Sequence, residues 1–194
     1  MVRPPLIVLV DCGSTKVPAL ATMLGAAGAN CGTVALDEAE AHAFRSCDGV
    51  VISGGPRLFT AEPTLIDCFT FIDDLSMPTL GICLGHQAIA LRHGAEAHLG
   101  PVRRTPEPVT LWGSHPLLQG LERETVFSQD HCEGVSLPTD FQRLGSSEHY
   151  EVEIMAGRRK PLHGVQFHPE ISGEAGRRLL DNFVAIVRQT SSSR

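Results

Sequence analysis

The sequence has no CxxC pair and no short Cys/His spacing of the metal-ligand kind, so neither a zinc site nor a dithiol redox motif is expected. Its six cysteines, Cys12, Cys31, Cys47, Cys68, Cys83 and Cys132, are scattered through the chain, and with no export signal recognised they read as free thiols. All but Cys83 are expected to be buried. Apolar runs are short: the first ten residues hold only Leu6 to Val10 after a proline pair, far from the roughly 20 apolar residues of a membrane span. A soluble cytoplasmic protein is the expectation. Basic residues are also few, with a net charge of -6 and basic clusters only at Arg103-Arg104, Arg158-Arg159-Lys160 and Arg177-Arg178, which argues against a nucleic-acid footprint. There is no phosphate loop, so no metal, nucleotide or flavin is expected on this chain. No repeat, low-complexity block or linker divides the 194 residues. One domain over residues 1–189 with a disordered tail at 190–194 follows, large enough to bury a core without staples.

What is present is an alternation. The runs Leu6 to Val10, Gly32 to Ala35, Gly49 to Ile52 and Thr79 to Ile82 are apolar and β-branched. Helical spacing of apolar residues separates them at Val17 to Leu24 and Leu65 to Leu75, and follows at Leu84 to Arg92. This β-α-β-α-β-α-β-α order predicts an α/β fold with a mostly parallel sheet covered by helices on both faces. From Ala95 to Gln166 the texture changes to short pieces, Pro108 to Leu111, Thr125 to Ser128, Gln142 to Ser146 and Val152 to Met155, broken by Gly, Pro and Asp. These predict a small antiparallel extension. A buried strand at His163 to Phe167 and an amphipathic helix from about Gly173 to Val187 close the domain.

Thr79-Leu80-Gly81-Ile82-Cys83-Leu84-Gly85-His86-Gln87 is a strand that runs through G-x-C-x-G directly into a helix, the form of a nucleophile elbow. Glycines belong there because a strained strand-to-helix turn brings backbone segments too close for side chains. Cys83 would project from the carboxyl end of its strand, where the positive end of the following helix favours a thiolate. A free cysteine is more usually a small buried hydrophobe; the flanking glycines after a strand favour the nucleophile.

The stretch Gly164-Val165-Gln166-Phe167-His168-Pro169-Glu170 ends an apolar strand on a histidine with a carboxylate two residues on. In extended chain such residues point the same way, so Glu170 can orient the His168 ring while His168 serves Cys83 as base and the leaving group as acid. Ser53-Gly54-Gly55-Pro56 follows the third strand and should reach the same sheet edge. The backbone N–H groups of Gly55 and Leu84 are the expected oxyanion donors, worth roughly 3 kcal/mol each. Gln87, one helical turn after Cys83, can face a substrate with its amide. The stretch Gln129-Asp130-His131-Cys132-Glu133-Gly134-Val135 reads as irregular.

The elbow, the Ser-Gly-Gly-Pro loop and the His-Pro-Glu segment, in this order and spacing, resemble class I (triad-type) glutamine amidotransferases over nearly the whole chain. Within that group Glu148 to Met155, Lys160-Pro161 and the closing Leu180-Asp181-Asn182-Phe183 helix look most like the stand-alone glutaminase subunit of two-subunit GMP synthetases. The resemblance implies a flavodoxin-like fold, a Cys83–His168–Glu170 triad, and glutamine contacts from Gly54, Gln87, Asp130 and His131. It also implies L-glutamine as substrate and a partner ATP-pyrophosphatase subunit that carries ATP and magnesium, adenylates xanthosine monophosphate and receives the ammonia. Four departures stand out: Asp11-Cys12-Gly13-Ser14-Thr15-Lys16 after strand one, Arg57-Leu58-Phe59 after the Ser-Gly-Gly-Pro loop where small residues are usual, Arg103-Arg104-Thr105-Pro106-Glu107, and Glu133 where the family usually has Asp. An amidotransferase serving another synthetase, for anthranilate, aminodeoxychorismate or a specialised product, and a stand-alone hydrolase of γ-glutamyl amides remain alternatives.

Overall fold

The computed structural model describes residues 3–192. The chain runs through β1 (Leu6–Asp11), α1 (Val17–Ala26), β2 (Asn30–Ala35), β3 (Gly49–Ile52), β4 (Thr79–Ile82) and α2 (Leu84–Arg92). It continues with β5 (Ala97–Arg103), β6 (Pro106–Leu111), β7 (Glu124–Ser128), β8 (His131–Val135), β9 (Phe141–Ser146), β10 (Ile154–Gly157), β11 (Leu162–Val165) and α3 (Gly173–Ser192). Among the described residues, nine strands form one mixed sheet in the order β2-β1-β3-β4-β11-β10-β9-β6-β7, while β5 and β8 pair separately. The first five are parallel in flavodoxin-like order, and the pairings from β11 to β7 are antiparallel.

Strand alternation explains why both faces are covered. Ile7, Leu9, Val51, Leu80 and Ile82 join Leu20 and Leu24 of α1 and Leu179, Leu180, Phe183 and Val187 of α3 in one core. Val10, Val50 and Ile52 point the other way, onto Leu84, Ala88 and Ile89 of α2 and onto Phe69 and Ile72. β3, β4 and β11 are buried on both faces, and β3 reads in sequence as an unbroken apolar run, while β4 and β11 each bury one polar residue, Thr79 and His163.

Several expectations are corrected. The predicted second helix is absent: β2 reaches β3 through two short 3-10 turns at Leu36–Glu38 and Ala41–Phe44. The apolar spacing of Leu65 to Leu75 forms a 3-10 segment, Pro63–Asp74, broken at Phe69, so Leu65, Phe69 and Ile72 are buried without a regular α-helix. The irregular stretch around His131 is strand β8, whose partner β5 was not anticipated. The last helix extends to Ser192 where Val187 was the expected end. Residues 190–192 of the expected tail therefore continue it, their hydroxyls bonding the carbonyls of Ile186, Val187 and Arg188. Residues 193 and 194 lie outside the described residues. No helix among the described residues is long and apolar enough to cross a membrane.

Candidate active site

Parallel sheets gather function at the carboxyl ends of their strands, and here the loops after β1, β3, β4 and β11 meet at that edge. Cys83 ends β4 and starts α2 with φ 50 and ψ -104, the sole non-glycine residue with positive φ among those described. Such a conformation persists only where the surroundings enforce it. Cys83 N donates to Val165 O at 2.9 Å and Cys83 O accepts from Gln87 N at 3.0 Å, pinning the turn to β11 and to its own helix. A β-carbon on Gly81 would collide with Gly85 O, and one on Gly85 with Ile52 O, so both glycines are required for the elbow to sit between β3 and α2.

β11 delivers the partner. Phe167 stacks on Phe127 with centroids 3.8 Å apart, which fixes the chain just before His168. His168 N donates to Ser128 O at 3.0 Å, Ser172 Oγ donates to His168 O at 2.6 Å, and Ser128 N donates to Ser172 Oγ at 2.9 Å. Thus held, His168 Nδ1 lies 2.7 Å from Glu170 Oε1, with both residues buried. Burial opposes charge on the imidazole, yet hydrogen bonding and charge from Cys83 and Glu170 outweigh it and raise the pKa to about 9. A β-carbon on Gly54 would fall 2.9 Å from His168 Cε1 and 3.4 Å from Cys83 Cβ, so the three residues converge.

A cavity of about 420 Å³ opens over this point. Its walls include Cys83, His168, Gly55, Leu84, Asp130 and His131, but not Gly54, which lies against Cys83 and His168, or Glu170, which is bonded to His168. Gln87 also reaches the wall, but its amide nitrogen already donates to Glu133 O and Gln166 Oε1, each at 3.2 Å. It therefore ties α2 to β8 rather than offering that amide freely to a ligand. The Asp130 carboxylate is lowered in pKa by the Lys16 ammonium 2.7 Å away, with Arg104 at 3.8 Å. His131 is pushed down to about 4 by burial, so its ring is neutral near pH 7.

A family profile described as Glutamine amidotransferase class-I matches residues 8–187. The chain belongs to this family. Among relatives of this amidotransferase, the A subunit of the glutamine-hydrolyzing GMP synthase of Methanosarcina barkeri is 39% identical over 142 residues, covering 72% of this chain and 73% of its own. The protein of the same name from Archaeoglobus fulgidus is 35% identical over 149 residues, covering 75% and 79% respectively. Among solved structures, a Thermoplasma acidophilum protein described as a candidate A subunit of GMP synthase superposes with a TM-score of 0.92 at 27% identity, over 100% of this chain and 98% of that one.

Sequence reasoning missed the parts of the amidotransferase site that act through other residues. Ser128 and Ser172 clip the turn after β11. Gly176 lets α3 pass against Pro169, whose carbonyl a β-carbon would strike. Lys16 reaches the cavity from the loop after β1, and only its place after a strand could have flagged it. The expected burial of the other cysteines holds for Cys12 and Cys47, whereas Cys31 and Cys132 are half-buried and Cys68 is exposed. Cys132 even borders the cavity, together with its neighbours His131 and Glu133. Among the described residues, no three His, Cys, Asp or Glu side chains are grouped as a metal site requires.

Proposed function

We propose that this chain is the glutamine-hydrolysing subunit of a two-subunit GMP synthetase, acting through Cys83, His168 and Glu170. The observation that carries the chemistry is the convergence of a strained cysteine and a carboxylate-paired histidine in one cavity at the carboxyl edge of the sheet. The relatives named as A subunits of GMP synthase support the product.

In this mechanism Cys83 Sγ attacks the side-chain amide carbon of glutamine, and the backbone N–H groups of Gly55 and Leu84 hold the oxygen as it becomes negative. Glu170 accepts from Nδ1, which leaves Nε2 of His168 to give a proton to the amide nitrogen as the C–N bond breaks and ammonia departs. Water then attacks the γ-glutamyl thioester with His168 taking its proton, and glutamate leaves with the Cys83 sulfur restored. Lys16 and Arg104 suit the α-carboxylate of glutamine, and Asp130 its α-ammonium, since all three border the cavity. Ammonia passes to an ATP-pyrophosphatase partner that adenylates xanthosine monophosphate and holds ATP and magnesium.

The test measures ammonia and glutamate release by the purified chain, alone and with that partner, xanthosine monophosphate, ATP and magnesium. Strong stimulation with GMP formation is the expected result. Hydrolysis indifferent to the partner would transfer the chain to another synthetase or to free γ-glutamyl amide hydrolysis, and no hydrolysis in either condition would remove the enzymatic reading.

A further inference from the structure

We propose that Glu133 is a positioning residue for glutamine hydrolysis, its buried carboxylate holding the loop after β3 so that the Gly55 N–H stays aimed at the reacting carbonyl. The proposal rests on the reading of Gly55 as an oxyanion donor. Glu133 sits on β8 with no exposed surface. None of the ion pairs among the described residues involves it; instead its oxygens accept from Phe59 N at 3.1 Å, from Thr60 N at 2.7 Å and from Thr60 Oγ1. Three donors from one loop therefore surround one carboxylate.

The need for such a clamp is local. Residues 53–58 have no regular secondary structure, yet Gly55 within them borders the cavity. A backbone donor serves a transition state only if its direction is fixed beforehand. On the near side of Gly55, Ser53 Oγ accepts from Cys12 N at 2.9 Å and donates to Gly54 O at 2.8 Å, whereas on the far side the bond from Glu62 N to Leu58 O at 2.9 Å closes only the loop's end. Glu133 ties the far side of the loop from across the cavity, so Gly55 is held between this carboxylate and the Ser53 bonds, while Phe59 packs on Phe69 with centroids 5.8 Å apart. The same residue's carbonyl accepts from Gln87 Nε2 at 3.2 Å and lies 3.0 Å from His131 Nδ1. The loop after β3, the elbow helix and β8 thus meet on one residue. Its length matters as well, because Asp would withdraw the carboxylate by one carbon–carbon bond, ~1.5 Å.

The experiment compares Glu133→Gln, Glu133→Asp and Thr60→Val with the parent chain in glutamine hydrolysis and in alkylation of Cys83 by iodoacetamide, a reaction that forms no oxyanion. For both Glu133 variants kcat should fall about 10- to 100-fold with KM changed by less than about threefold, and alkylation should stay within about twofold. Thr60→Val, which keeps both backbone donors, should lose less of kcat. An unchanged kcat in both Glu133 variants, a rise in KM alone, or a parallel fall in kcat and alkylation would each overturn the clamp. Cys83→Ala in the same assay separates the two readings, since ammonia release surviving that change would sink the parent mechanism whatever Glu133 does.

Discussion

Along the carboxyl edge of β3, β4 and β11 the cavity is made of glycines, apolar strands and a few polar groups at strand ends. On the opposite side, β8 and its neighbours bury Gln129, His131, Glu133 and Glu153 in contact with one another and with Gln87. One side fixes the reacting atoms by shape, through close backbone approach and packed strands. The other fixes them through polar groups whose partners are far away in sequence. In the proposed mechanism a site split in this way places the reacting groups on the parallel part, while β8 of the antiparallel part holds the loop after β3.

The sharpest way to break that division is to remove the proposed nucleophile. Cys83→Ala should lower glutamine hydrolysis by at least about three orders of magnitude and leave the melting temperature near that of the parent. Retained turnover would mean that the parallel edge does not hold the reacting sulfur. The apolar side should then show the largest loss of stability. Phe183→Ala empties a fully buried position between α3 and the sheet and should cost about 3–5 kcal/mol in denaturant unfolding; a loss under about 1 kcal/mol would show that the core collapses onto the gap.

Glu170→Gln tests the carboxylate beside the histidine. Burial alone would depress the His168 pKa, and Cys83 and Glu170 bring it up to about 9. Without the Glu170 charge it should drop, so kcat/KM should fall about 100-fold, and its alkaline limb, near pH 9 in the parent, should shift to lower pH. An unmoved limb would assign that titration to another group. Asp130→Asn is expected to raise KM for glutamine about tenfold with kcat nearly constant; a fall in kcat instead would place Asp130 in the chemistry.

The smallest effect belongs to Glu153, buried against Ser147 and Gln129, where desolvation lifts the carboxyl from its ordinary 4.5 to about 7. The folded chain keeps a proton there that the unfolded chain has released, so this group makes stability fall as pH rises from 4.5 through 7. Glu153→Gln should flatten that slope between urea titrations at pH 5 and pH 8. An identical slope would show that the polar side of the cavity is not linked to protons through this residue.

Legibility followed the same division. The elbow was readable because strand, glycine, cysteine, glycine and helix are consecutive, and a backbone crowded by its own neighbours must be made of such residues. His168 and Glu170 were readable because Pro169 and two-residue spacing fix their relation locally. Buried strands announced themselves as apolar runs, whereas Pro63–Asp74 misled, since burial of Leu65, Phe69 and Ile72 needs apolar spacing and not α-helical hydrogen bonds. β8 carries Cys, Glu and Gly among its five residues, and nothing local marks it as a strand.

By itself, therefore, the sequence determined the parallel α/β order, the nucleophile turn and the histidine–carboxylate pair, because each is set by residues within a few positions of one another. Tertiary structure alone decided that Lys16 meets Asp130 across 114 positions and that Glu133 holds Thr60 across 73. Those pairings depend on where β8 is laid against the loops of the sheet, and a hydrogen bond between distant residues leaves no periodic mark on either segment.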